Sequence, residues 1–506
     1  MVFGAWHLAL GNTCAVLYSG QPIVGPSSSR IPVHSPCFIA FVLPQSPLKL
    51  LTGLCLLLLL PGGSYAQHHA SELAIQNVRV FDSKTKRVRA HKTVLIDAGL
   101  IVGIVSANQN VHATTVLEGN DRLVVPGFID THTHLRNVYG SLEEVAKNQA
   151  GLDRQKLADT YLRYGTTTIV DMGQPEQWID TSLAWQQHPL PDYPNLFITG
   201  GAMVSAEAGR QTYMNHVAVA NPAAARQKVQ DYAERGIEYV KIYWRLRKPD
   251  LEAVVAEGQK QHLTISAHID NNVTTMTDAL ALGVQNFEHV LTLPPAVLVL
   301  NEHRAALRAR YGLGDAENVD KFLAQILFYF DYIQQNPVWD AQLNALLAQL
   351  AHRKATLSTA IHILGSVAGK TYFPTSLTLH ADSINLAGYT PTQRTQLRHA
   401  FDVMMHYVKL AQEKGVRLRI GTDCPDGGKA LLSELLLLHE AGFSTEDVLQ
   451  IATWNGAQAM RLSDRYGVLE KGKAADLILF DKNPLDDYRN LLSEKVIVKG
   501  GKVFRQ

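Results

Sequence analysis

The chain has 506 residues, 46% of them hydrophobic, enough to bury a large core and more than one small module needs. Lys and Arg number 47 against 46 Asp and Glu, a formal net charge of +1, and no long run of like charge occurs. Nucleic acid and anionic lipid are therefore not expected as partners, and one large domain with an accessory one is the expected organisation.

The first 47 residues are long and Pro-Ser-rich for a basic leader and suggest no structural role. Leu48 to Ala66 (LKLLTGLCLLLLLPGGSYA) combines a lysine, a leucine-rich run, a Pro-Gly-Gly break and small residues at Ser64 and Ala66. This pattern predicts a signal peptide over Leu48 to Ala66, preceded by an N-terminal extension and cleaved near Ala66 and Gln67, and a periplasmic or extracellular protein. The apolar run stops at Pro61 after about a dozen residues, short of the roughly 20 that a spanning helix needs, so no membrane anchor is expected. Cys55 follows Leu54 near the start of the run, which does not fit a lipoprotein signal. Cys14, Cys37 and Cys55 all precede the cleavage point, so the exported chain keeps only Cys424 and forms no internal disulfide.

From Glu72 to Val125, short alternating segments (LAIQNVRVFD, KTVLIDAGLIVGIV, RLVVPG) are punctuated by Gly, Asn and Asp, which is strand-and-turn chemistry. The same style returns from about residue 464 (YGVLEKGKAADLILFD, KVIVKGGKVF), and the two ends are expected to pair into one small β-sandwich domain. Between them, residues 126–463 alternate short apolar runs with amphipathic stretches. FIDTHTH, GTTTIVDMG, NLFITGG, IEYVKIYW, LTISAHI, VQNFEHV, ATLSTAI and VRLRIGTD make eight candidate strands, as an α/β fold of the (β/α)8 TIM-barrel type requires. A doubly wound sheet is the less economical alternative. An insert at about 291–353, between the sixth and seventh strands, carries Leu343, Leu346, Leu347 and Leu350 at helical spacing. Helix packing explains that stripe, and a lid over the barrel mouth or a subunit contact is the competing role.

His132 and His134 lie two apart, so on a strand both imidazoles leave the same face. His268 closes LTISAHI, His289 closes VQNFEH and Asp423 closes RLRIGTD, so each stands at the carboxyl end of a barrel strand, where barrel active sites are built. Lys241 interrupts the apolar segment YVKIYW, where a buried lysine needs a partner or an altered charge state. Four histidines, a lysine and an aspartate on one rim point to a metal site, which separate structural roles would rarely produce.

VVPGFIDTHTHL, EYVKIYW, SAHI, NFEH, GTD and the closing YGVLEKGKAADLILFDKNPLDD resemble the amidohydrolase superfamily, above all its imidazolonepropionase-like and Xaa-Pro-type dipeptidase-like branch. The likeness spans nearly the whole exported chain. It implies that His132, His134 and Asp423 bind one divalent metal and that His268 and His289 bind a second, with Lys241 bridging them as a carbamate. It also implies a metal-bridging hydroxide as nucleophile, with Asp423 as general base and then proton donor to the leaving nitrogen. Zinc is the default metal for this donor set, while the carboxylate and carbamate oxygens also suit manganese, iron or cobalt. Tyr243, His362, Arg210, Tyr213 and His216 are further candidates for substrate contact, with capping or solvation as their ordinary roles.

The expected reaction is hydrolysis of an amide or other C–N bond in a small substrate such as a dipeptide or N-acyl amino acid. The runner-up is a mononuclear cyclic-amide or imidazolone hydrolase, or a deaminase. The resemblance implies that deaminases often carry a Glu three residues after the fifth-strand His; here that residue is Asn271. A third alternative, an inactive scaffold, conflicts with retention of every expected ligand. Substrate identity and oligomeric state are not legible at this level.

Overall fold

The computed structural model describes residues 71–139, 152–208, 215–269, 271, 273–314, 319–370, 372–373 and 388–505. The leader-like stretch 48–66 and the candidates Arg210 and Tyr213 lie outside the described residues.

Five strands open the described chain: β1 (Ser71–Asp82), β2 (Arg87–Asp97), β3 (Leu100–Ser106), β4 (Ala113–Glu118) and β5 (Leu123–Pro126). Tight turns between them form where Lys86, Ala98 and Gly99 take positive φ. The eight strands of the second group are β6 (Phe128–Thr133), β7 (Thr166–Asp171), β8 (Asn195–Ile198), β9 (Ala202–Ser205), β10 (His216–Val219), β11 (Tyr239–Ile242), β12 (Thr264–Ala267) and β13 (Asn286–Phe287). After the insert come β14 (Thr356–Ser358) and β15 (Arg417–Arg419), and the chain closes with β16 (Leu477–Phe480), β17 (Lys495–Lys499) and β18 (Lys502–Arg505).

The two ends of the chain meet in one eight-stranded sheet of order β18-β17-β16-β5-β1-β2-β3, with β4 on β1. The junction is the antiparallel pair β16–β5, with Ile478 opposite Val125. Leu73, Val80, Val94, Ile96, Leu477 and Val498 give this sheet its own buried cluster.

Parallel strands make up the rest: seven in the order β10-β9-β11-β12-β13-β14-β15, and three in the order β6-β7-β8. All eight apolar segments singled out in the sequence contain a strand of these sheets. β9 and β10 are a further parallel pair inserted after β8, with His216 opposite Ala202. β6, β7, β11 and β12 are buried along their whole length, so Asp130, His132, Asp171 and Lys241 stand out as polar or charged residues within otherwise apolar or threonine-rich runs.

Helices between the strands begin where local chemistry starts them. Asn221 caps Pro222–Glu234 through the Ala224 N–H, with proline in the first turn. Thr275 with Asp278, and Thr390 with Gln393, form reciprocal capping boxes at Met276–Ala281 and Pro391–Lys414. The insert folds as three helices, Leu300–Tyr311, Val319–Gln334 and Pro337–His352. Leu343, Leu346, Leu347 and Leu350 are buried in the same cluster as Val240, Phe287 and Leu357 of the parallel strands. No helix among the described residues is long and apolar enough to cross a membrane.

Candidate metal centre and active site

The ends of β6 and β15 are locked together before any ligand is considered. The Thr131 N–H and Asp423 N–H donate to Ile420 O and His132 O, each at 2.9 Å. Asp130, fully buried, accepts from the His132 N–H at 3.1 Å, the Thr422 N–H at 3.1 Å and the Thr422 hydroxyl at 2.6 Å. Burial pushes the Asp130 carboxyl up to about 6, against the pull of these donors. Gly421 permits the approach, since a Cβ there would sit 2.8 Å from His132 Cβ and 2.9 Å from Ser358 Cβ.

His132, His134, Lys241, His268 and His289 are all buried, and the Asp423 side chain is 28% exposed. The imidazoles form a continuous row, with ring centres 5.2 Å apart for His134–His132, 4.2 Å for His132–His289 and 5.3 Å for His289–His268. Asp423 spans the row, 3.4 Å from His134 Nε2 through one oxygen and 3.4 Å from His289 Nε2 through the other. Donor atoms of His132, His289 and Asp423 lie within 4.8 Å of one another, a group able to hold a metal ion.

Protonation favours ligation. Burial, reinforced by Lys241, holds His132 down at about 4 and His268 at about 3. Burial and the neighbouring His132 and His268 hold His289 well below the ordinary range. All three imidazoles are neutral at pH 7, the form that binds metals. Burial raises the Asp423 carboxyl, but His134, His132, Arg136 and Lys241 outweigh it and keep the group ionised. Burial lowers Lys241 to about 8, which increases its neutral-amine fraction at pH 7 roughly 300-fold over a free lysine. Lys241 Nζ and His289 Nδ1 are buried without a hydrogen-bond partner. Such atoms are costly to leave unsatisfied, and a divalent cation with its ligands would satisfy this rim. The donor set therefore fits a divalent metal.

Orientation of the histidines comes from residues that the motif analysis passed over. His132 Nδ1 is 2.8 Å from Glu288 Oε2, which leaves Nε2 facing the centre. Glu288 also accepts from the Ser358 hydroxyl at 2.8 Å and pairs with Arg419 at 2.6 Å, with both charged side chains fully buried. Desolvation alone would raise Glu288, but Arg419, Lys241 and His132 hold it well below the usual carboxylate range. Arg419 is fixed further by Thr131 Oγ1 at 2.6 Å and Thr356 Oγ1 at 3.1 Å. A charge inside the apolar runs VQNFEH and RLRIG was the available signal for both residues.

His289 has φ 68° and ψ 129°, and Asp423 has φ 46°. A bulky residue in that region stores of the order of 1–3 kcal/mol, which the packed strand ends must hold. Tyr243 stands 5.0 Å from the His268 ring and 4.9 Å from His216, extending the aromatic row outward. His362 falls within the helix Ile361–Val367 and is fully buried, with burial lowering it to about 4. A cleft of about 450 Å³ lined by Thr277, Leu280, Ala348 and His352 contains none of the rim ligands.

The amidohydrolase family model matches residues 123–503, and the chain belongs to that family. An imidazolonepropionase of Brevibacillus brevis is 37% identical over 73 residues, which is 14% of this chain and 17% of that protein. Ochratoxinase of Aspergillus niger is 29% identical over 99 residues, 19% of this chain and 21% of that protein. The matched stretches thus span about a fifth or less of these relatives. A prolidase solved with N-methylphosphonate-L-proline superposes with TM-score 0.61 at 16% identity, covering 86% of this chain and 99% of that one. A Xaa-Pro dipeptidase with methionine in its active site gives 0.58 at 19%, covering 86% and 100%. At such identities the likeness is one of fold.

Proposed function

We propose that the chain is a metal-dependent hydrolase of an amide or other C–N bond in a small substrate, a dipeptide or N-acyl amino acid. The observation that carries this is the row of buried imidazoles spanned by Asp423. His132, His134, His268, His289, Lys241 and Asp423 hold the metal, with two ions, a carboxylated Lys241 and zinc as the default. When bound, the metal supplies Lewis acidity toward the scissile carbonyl and the attacking water.

Asp423 is the proton carrier. Its carboxylate is ionised and part-exposed, so it takes a proton from water and returns it to the leaving nitrogen, the harder half of amide cleavage. Tyr243, beside His268, orients the substrate, and the buried ligand rim excludes bulk water from the bond being broken. The peptide-cleaving enzymes among the structural neighbours support this reading. So does Asn271, which supplies no acid for protonating a ring nitrogen. Cyclic-amide hydrolysis is the second reading, favoured by the stretch shared with imidazolonepropionase.

The same proposal reads β6, β7, β8, β11, β12, β13, β14 and β15 as one closed (β/α)8 barrel. Its support is the parallel bridge Thr199–Tyr239 at one seam and the Thr131–Ile420 bonds at the other. Residues 48–66 belong to it as an export signal, on sequence pattern alone.

The test is metal content of the full chain, purified with bicarbonate, for wild type and Lys241→Ala, followed by dipeptide and N-acyl amino acid libraries. About two metals in wild type and loss of at least one in the variant support the binuclear hydrolase. About one metal in both directs the search to cyclic amides. No metal in wild type overturns the proposal.

A further inference from the structure

Asp171 is the last residue of β7, in register with Thr133 of β6 and Ile198 of β8. It is fully buried, and neither carboxylate oxygen has a hydrogen-bond partner. Its backbone cannot swing it outward, because its carbonyl accepts from the Thr199 N–H at 2.9 Å and the Met172 N–H donates to Thr133 O at 2.9 Å. An isolated buried carboxylate is among the costliest groups a fold can carry, so its retention calls for a cationic partner.

The nearest polar atom recorded for it is His134 Nδ1, 3.7 Å from Oδ1. That nitrogen already lies 3.1 Å from Gly173 O, so its N–H is bracketed by a carbonyl and a carboxylate on the segment after β7. Nε2 is thereby turned toward Asp423 with its lone pair free. At His132 the carboxylate of Glu288 meets Nδ1 directly at 2.8 Å, whereas at His134 the Gly173 carbonyl makes the hydrogen bond and Asp171 stands behind it at 3.7 Å. Glu288 is neutralised by Arg419 at 2.6 Å, whereas Asp171 has no lysine or arginine pair among the described residues.

We propose that Asp171 is a positioning residue for His134, closing the Nδ1 side of the ring beside Gly173 O so that Nε2 faces a cation bound on the His134 side of the centre. Glu288 and Asp171 then back the two arms of the His-x-His pair separately, the first held by Arg419 and the second without a lysine or arginine partner among the described residues. Both oxygens are sealed from solvent, so the residue acts through the imidazole and not on substrate. The inference rests on the metal-binding reading above.

Asp171→Asn keeps an acceptor and the volume while removing the charge. Full-length wild type and variant are stripped with a chelator, melted as apoproteins, and titrated with Co²⁺ and Zn²⁺ against a chromophoric competitor. The expected result is a metal affinity about 10–100-fold weaker and altered visible Co²⁺ bands, with an apoprotein melting temperature no lower than that of wild type. Asp171→Ala should lose at least as much affinity. A merely structural aspartate would lower apo stability along with affinity, and that result, or failure of the Asn variant to fold, overturns the proposal. Wild type that binds metal together with an Asn variant of unchanged affinity overturns it alone. Wild type that binds no metal overturns the metal-binding reading as well.

Discussion

Replacing Glu434 by glutamine should stabilise the protein, and increasingly so as pH rises. Glu434 sits in the helix Gly427–Glu440, fully buried, where it accepts from the Thr359 hydroxyl and from the His362 N–H at 3.2 Å. Burial pushes its carboxyl up to about 8, while the donors from Thr359 and His362 pull the other way. The folded protein therefore keeps this proton over a range in which the unfolded chain, at an ordinary carboxyl value near 4.5, has released it. Stability from this group is complete below about pH 4.5 and is lost as pH climbs to about 8. The interval of about 3.5 units corresponds to a loss of the order of 5 kcal/mol, at about 1.4 kcal/mol per unit. Glutamine retains an acceptor for the His362 N–H and offers Nε2 in place of the carboxyl O–H, so it mimics the protonated acid at every pH. Urea unfolding of the metal-stripped wild type and Glu434→Gln at pH 5, 6.5 and 8 measures the difference. It should widen in favour of the variant by about 3–4 kcal/mol across that span. Parallel stability curves would refute the argument, because they would mean that Glu434 is ionised in the fold or already hydrated.

Glu288→Ala strands Arg419 as an uncompensated buried cation and frees the His132 ring. It should cost about 3–5 kcal/mol in unfolding free energy, and chelator competition should show metal affinity reduced about 10–100-fold. Asp423→Asn should lower turnover about 10²–10⁴-fold even with metal in excess, read as kcat on any substrate that the library identifies. Wild-type turnover in that variant would remove Asp423 from the proton path. Leu347→Ala, in the fully buried stripe of the third insert helix, should cost about 2–5 kcal/mol by denaturant titration. A change under about 0.5 kcal/mol would show that the insert is not integral to the core.

The candidate rim residues could be picked out because strands have a period of two and parallel barrels place function at one end. His132 and His134 had to share a face, and His268, His289 and Asp423 each ended an apolar run. The same logic found the eight strand segments and the leucine stripe of the insert, since continuous burial leaves a continuous apolar record. Glu288, Arg419, Asp130 and Asp171 were present in those runs as charges but carried no spacing signal. A charge in a strand announces that it needs a partner without saying which one.

Sequence by itself pointed to the family and to eight of the parallel-strand segments, because local patterning and short motifs encode them. Tertiary structure alone decided the pairings: Glu288 with His132 across 156 positions, and Arg419 with Glu288 across 131. It also decided that the Arg419 neutralising Glu288 has no counterpart at Asp171 among the described residues, that His362 is buried within a helix, and that Gly421 lets the chain after β15 close on His132. Contacts between residues so far apart depend on the register of several packed strands at once, and no local window of sequence contains that information.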